Sequence, residues 1–252
     1  MSISKIVDFF RVREFIGRLQ TNAIVAMIYL LILGISDEFI LAYLIFIFYQ
    51  SILVLYGYLL NSWCDSEPDS IARKNTAFNE FPGKSIAATL WFSGIIAFTI
   101  PFFFGHYAAV AGVAAFFSAT AYSLKPFRLK ERGFLGPIAA ALPQSVLPFI
   151  FFVFLTAVNE TAVFLSIWLF IKQLLEELSH QKDDLESDKK LGISTFAVAS
   201  GAKNLNFLIN LFFVIFLLWA ILPIFIFGTE GLFIAITLAF FSAHLTAKTF
   251  GI

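Results

Sequence analysis

The chain has 252 residues, is 60% hydrophobic and only 13% charged, and carries no formal net charge. Soluble domains are about a quarter charged, so this balance excludes an ordinary water-soluble globule and points to a membrane protein. No nucleic-acid recognition motif and no Walker-type phosphate loop occurs, and a nucleic-acid partner is not expected.

In chain order, residues 1–14, "MSISKIVDFFRVRE", mix charge with apolar side chains and lack a small-residue cleavage site. They read as a segment lying on the membrane surface, not as a cleaved signal. Eight apolar stretches follow, at 15–34, 38–60, 86–105, 107–123, 134–157, 160–179, 205–228 and 231–250. Most are close to the roughly 20 residues that carry a helix across a ~30 Å hydrocarbon core; the fourth is short. Backbone polar groups must be satisfied within lipid, and the alternation of a β-barrel is absent, so these are helices. The predicted fold is all-α: a polytopic transmembrane helical bundle of about eight spans, one domain over 1–252. Cys64 is the only cysteine, so no intrachain disulfide can form.

Lysine and arginine in the loops are confined to one side of these spans. They occupy the N-terminal segment (Lys5, Arg11, Arg13, Arg18) and the loops after spans two (Arg73, Lys74, Lys84), four (Lys125, Arg128, Lys130, Arg132) and six (Lys182, Lys189, Lys190, Lys203). The opposite loops, "GISDEF", "FGHY", "AVNET" and "FGTEG", hold none. The positive-inside rule places both termini and the three long loops in the cytoplasm. Lys172 lies inside span six and receives no assignment.

Two acidic clusters stand at span ends. The first is "NSWCDSEPD", where Asn61, Asp65 and Asp69 recur every four residues, with Pro68 bending or ending the helix near Glu67. The second is "EELSHQKDDLESDKKLG", where Glu177, His180, Asp184 and Asp188 follow an i, i+3, i+7, i+11 pattern along one helix face. Carboxylates at helix C-termini oppose the macrodipole, and like charges at i,i+4 repel by ~0.2–0.5 kcal/mol. Two span ends bearing that penalty imply a compensating cation, and hard oxygen ligands suit Mg²⁺. Two such sites above an apolar bundle suit a substrate with a diphosphate head and a hydrocarbon tail, since metals take up the charge of departing diphosphate.

At these residues the chain resembles the UbiA superfamily of intramembrane prenyltransferases. The family's Asn-Asp-x-x-Asp-x-x-x-Asp reads "NSWCDSEPD", keeping Asn61, Asp65 and Asp69; its second motif, an Asp pair before a Gly-x-x-Thr turn, is similar to "DLESDKKLGIST", with Asp184, Asp188, Gly192 and Thr195. Between them "AYSLKPFRLKERGFLG" resembles the family's loop after its fourth helix. Ser62 departs from the family's usual Asp, Glu176 and His180 stand where a Tyr-x-x-x-Lys is common, and eight spans stand against the family's nine. The resemblance implies an apolar central cavity capped by cytoplasmic acidic loops. It also implies Mg²⁺ held by Asn61, Asp65, Asp69, Asp184 and Asp188, the four aspartates being the catalytic set. Arg73, Lys74, Lys125 and Arg128 would bind substrate diphosphate, as would His180 when protonated. Lys130 and Arg132 read as lipid-headgroup contacts, and Arg18 in "RLQT" is similar to the family's first-helix Arg-Pro-x-Thr. The implied reaction is Mg²⁺-dependent transfer of an isoprenoid from its diphosphate to a lipophilic acceptor, an aromatic or quinone precursor or a lipid-like molecule. The alternatives are a terpene cyclase of the same superfamily, which adds no acceptor, and an ion-coupled transporter. The transporter fits less well, because the acids lie at span ends, away from the midplane.

Overall fold

The structure, a computed structural model, describes residues 12–67, 78 and 81–250, with backbone alone at 13, 14, 229 and 241–250. Among the described residues all regular structure is helical. The order is α1 (Val12–Leu33), α2 (Asp37–Cys64), α3 (Gly83–Thr99) with a 3₁₀ extension (Ile100–Phe104), and α4 (His106–Ser123). A 3₁₀ turn (Leu129–Glu131) leads into α5 (Leu135–Ala141), a π turn (Leu142–Val146) and α6 (Leu147–Leu155). Then come α7 (Glu160–Leu191), α8 (Phe196–Ile221), the short α9 (Pro223–Ile226) and α10 (Gly228–Phe250). Since α5, the π turn and α6 make one rod, the helices occupy the eight expected span positions. Five stretches are long and apolar enough to cross a membrane: Phe15–Leu33, Asp37–Cys64, Gly83–Phe104, Leu135–Leu155 and Phe196–Ile226.

The outward surface carries side chains that water would not tolerate in such density. Trp91, Phe103, Phe225 and Phe240 are between 72% and 80% exposed, with many Leu, Ile and Val beside them. Such a surface belongs in hydrocarbon. Inside, α1, α2, α6, α7 and α8 close around Trp168, Phe149, Phe152 and Phe216. A second core joins α2, α3, α4 and α6 through Ala108, Ala111, Ala115 and Ala119, a small-residue stripe that lets helices approach closely. Gly112 completes that stripe: a Cβ there would lie 2.2 Å from the Pro101 side chain.

The rod 135–155 shows how the bundle satisfies a proline. Pro148 has no N–H to offer the Gln144 carbonyl, one turn earlier. Asn22 of α1 supplies the donor instead, its Nδ2 at 2.8 Å from that carbonyl. Gln173 of α7 then bonds both the Ser145 hydroxyl, at 3.1 Å, and the Gln144 side chain, at 3.2 Å. This polar rung pins α1, the π turn and α7 to one another.

Two expected boundaries differ. α8 starts at Phe196, ahead of the expected 205, because Thr195 supplies an N-terminal boundary and Gly201, at φ 75°, absorbs a kink that hydropathy does not reveal. α7 runs on to Leu191 as a single helix, so the second acidic stretch is helical throughout.

Candidate active site

Asp65 sits at the C-cap of α2, its N–H bonded to the Asn61 carbonyl. A carboxylate there faces the negative end of the helix dipole and needs a cation. Two arrive from the loop after α4. Lys130 Nζ donates to both Asp65 carboxylate oxygens, and Arg128 Nη2 lies 3.2 Å from Oδ1. Lys130 Nζ also lies 3.4 Å from Asn61 Oδ1. Asn61 Oδ1 accepts as well from Ser123 at the end of α4, at 3.0 Å.

The backbone of that loop is built for this approach. Arg128 adopts a left-handed conformation at φ 37°, which costs a non-glycine residue free energy. Its Nε bonds Glu131 at 2.5 Å, and Arg132 bonds the Phe127 and Pro126 carbonyls, at 2.6 and 2.9 Å, folding the loop back over α2. Gly136 lets α5 pass close beneath: a Cβ there would come within 2.9 Å of the Lys130 carbonyl oxygen. Burial works against the Arg128 charge, but the Glu131 hydrogen bond and the Asp65 carboxylate outweigh it and raise the guanidinium pKa above its ordinary value.

The second cluster lies on the last three turns of α7. His180 Nε2 is 3.6 Å from Asp184 Oδ2, both near the open end. Gly192 ends the helix in the left-handed conformation, and the Ile193 N–H bonds the Asp188 carbonyl at 2.9 Å, a glycine C-cap with Lys189 and Lys190 in the last turn. The tight turn brings α8 back onto α7. Thr195 Oγ1 donates to Asp188 Oδ2 at 3.2 Å, and the Ala197 N–H donates to Gln181 Oε1 at 3.3 Å.

The end of α4 joins the two clusters. Ser123 holds Asn61 of the first, while its neighbour Tyr122 donates to Glu177 Oε1 of α7 at 3.1 Å. Tyr122 is within electrostatic reach of Asp65, Glu177 and Arg18 together. Beneath them lies a buried charged layer: Arg18 Nε donates to the Tyr58 hydroxyl at 2.7 Å, and Lys172 Nζ to Glu176 at 2.9 Å and to Thr21 at 3.4 Å.

The sequence-predicted residues divide as follows. Asn61, Asp65 and Arg128 converge. Asp184, Asp188 and His180 share one α7 face, and Lys125 is exposed in the loop. Asp69, Arg73 and Lys74 lie outside the described residues, as does most of the 1–14 segment. Lys130, expected at lipid headgroups, is instead buried against Asp65; only the loop geometry, with its left-handed Arg128, turns it inward. The Tyr122–Glu177 pair was also missed, although Glu177 falls on the predicted acidic face.

The donor set admits a divalent cation. Asn61 Oδ1 and the Asp65 carboxylate, both hard oxygen donors, already converge on one positive charge, the Lys130 ammonium. Among the described residues no three acidic, His or Cys side chains gather closely enough to hold an ion by themselves.

A lipid-facing helical bundle with a charged mouth at one end defines an integral membrane protein. The chain belongs to the UbiA prenyltransferase family, whose model it matches over residues 22–250, and it is a prenyltransferase by that membership. A comparison with curated protein sequences finds no match. Among solved structures it is similar to a UbiA homolog from Archaeoglobus fulgidus bound to DMAPP and Mg²⁺, with TM-score 0.74 and 15% identity over 96% of this chain and 85% of that one. The same homolog bound to GPP and Mg²⁺ gives 0.73 and 14%, over 96% and 86%. A structure of digeranylgeranylglyceryl phosphate synthase in membranes gives 0.64 and 22%, over 98% and 88%. At these identities the likeness speaks for the fold.

Proposed function

We propose that this chain is a Mg²⁺-dependent prenyltransferase that moves an isoprenyl group from its diphosphate to a lipophilic acceptor. The carrying observation is the meeting of Asn61 Oδ1, Asp65, Arg128 and Lys130 at the mouth of an apolar bundle. The Mg²⁺ and prenyl diphosphates bound in the neighbours support the same chemistry. Asn61, Asp65, Asp69, Asp184 and Asp188 would hold Mg²⁺, which neutralises charge that develops on the departing diphosphate.

This chain's own residues do the rest. Arg128 and Lys130 exchange the Asp65 carboxylate for phosphate oxygens when substrate arrives, Arg128 by a two-pronged contact and Lys130 as a point charge. Lys125 and His180 would add to that grip, and Arg73 and Lys74, outside the described residues, are assigned the same role. The apolar interior keeps water from the allylic carbon once its C–O bond breaks. The site faces the cytoplasm, on the side that carries the lysine- and arginine-rich loops.

The test offers purified protein geranyl, farnesyl and geranylgeranyl diphosphate with Mg²⁺, with and without a membrane lipid extract, and reads products by mass. The expected result is diphosphate release and a prenylated adduct that requires the extract and stops with EDTA. A terpene hydrocarbon or alcohol as the sole product, with or without the extract, would assign cyclisation instead.

A further inference from the structure

Prenyl transfer leaves a proton to be placed. The C1–O bond of the isoprenyl diphosphate breaks with its electron pair going to diphosphate; the acceptor's nucleophilic atom bonds C1, and the proton on that atom must leave. The interior that shields the cation offers no bulk water to take it. We propose that Glu177 is the base that receives this proton, an assignment that rests on the prenyl-transfer reading.

The placement carries the argument. Glu177 is buried, 3% exposed, on the α7 face that bears His180, Asp184 and Asp188. Seven residues below Asp184, it lies about 10 Å deeper at 1.5 Å per residue, where the hydrocarbon part of a diphosphate held at the mouth begins. Its Oε1 is fixed by two donors, Tyr122 Oη at 3.1 Å from α4 and Gln181 Nε2 at 3.1 Å. Gln181 is itself fixed by the Ala197 N–H. Among the described residues Oε2 accepts no hydrogen bond. A carboxylate anchored through one oxygen with the other open is the geometry a general base needs. Its neighbour differs: Glu176 is paired with Lys172 at 2.9 Å. Arg18, whose Nη1 is buried without a partner, lies within electrostatic reach of Glu176 and Glu177.

Glu177→Gln keeps the oxygen that Tyr122 and Gln181 hold and removes the basicity. With radiolabelled isoprenyl diphosphate, Mg²⁺ and membrane lipid extract, two quantities are read: diphosphate released and label in adduct. Adduct formation is expected to fall about a hundredfold, with prenyl alcohol replacing adduct among the products. A non-hydrolysable isoprenyl thiolodiphosphate should still raise the unfolding temperature as it does in the wild type. An unchanged ratio of adduct to diphosphate overturns the proposal; so does loss of the analogue's effect, which makes the residue structural. If Glu177→Gln does not fold, Glu177→Asp, a base on a shorter arm, is compared with Glu177→Ala. The aspartate should restore part of the adduct, and equal rates overturn the proposal. A wild-type protein that releases no diphosphate from any of the three substrates contradicts the prenyl-transfer reading itself, whatever Glu177 does.

Discussion

Lys130 Nζ reaches both carboxylate oxygens of Asp65 across 65 residues of sequence, from a loop on the far side of α4. The pair is nearly buried, the side chains 10% and 13% exposed, so its charges are poorly screened. The ammonium stands between Asn61 and Asp65, two of the oxygen donors proposed to hold metal, and supplies the positive charge that the α2 C-terminus requires.

Lys130→Met should therefore destabilise the protein by about 2 kcal/mol. That is short of the ~3–5 kcal/mol of a fully buried pair, because Arg128 still pairs with Asp65. Combining it with Asp65→Asn in a double-mutant cycle should give a coupling energy of about 1–3 kcal/mol. Additive effects in thermal unfolding would show that the contact carries no energy.

Gly136→Ala tests the loop that delivers Lys130. The added Cβ must displace the Lys130 backbone, 2.9 Å away, at a cost of about 1–3 kcal/mol. Activity should fall further than stability, because Lys130 and Arg128 move with the loop. A variant with wild-type turnover at wild-type stability would contradict the close approach.

Thr195→Val removes the hydroxyl that donates to Asp188 Oδ2 at 3.2 Å while preserving size. Partners that orient ligating carboxylates are worth about 10–100-fold in metal affinity. The Mg²⁺ concentration for half-maximal activity should rise by about that factor, with the maximal rate largely restored at saturating Mg²⁺. An unchanged Mg²⁺ dependence would remove Asp188 from the metal set.

Much of this was legible in the residues, for a physical reason in each case. Hydropathy reveals spans because lipid demands continuous apolar surface; each of the eight expected stretches is helical, and five of the helices are long and apolar enough to cross a membrane. The i+4 spacing of Asn61 and Asp65 and the i+11 reach from Glu177 to Asp188 reveal shared helix faces because α2 and α7 remain helical there. Lys130 was misplaced because the inward turn depends on a left-handed arginine and on a glycine in the next helix, neither of which has a periodic signature. The Tyr122–Glu177 bond was invisible for the same kind of reason. It joins residues 55 apart through helix packing, which no local pattern encodes.

The orientation expected from charge alone has its own test. In a Cys64→Ser background, single cysteines at Lys182 and Lys84 should react with a membrane-impermeant maleimide only from the cytoplasmic side. Cysteines at Asn159 and His106 should react only from the opposite side. The reverse pattern would turn the bundle over.

The central claim is that both acidic clusters serve one diphosphate, and ligand-linked stability tests it most directly. With Mg²⁺ present, a non-hydrolysable isoprenyl diphosphate analogue at a hundredfold excess over Kd should stabilise the wild-type protein by ~2.7 kcal/mol. Asp65→Ala or Asp184→Ala alone should each abolish most of that gain, and the double variant should lose little more, because partners in one site are not additive. Partial losses that simply add in the double variant would mean two independent sites and would contradict the shared diphosphate.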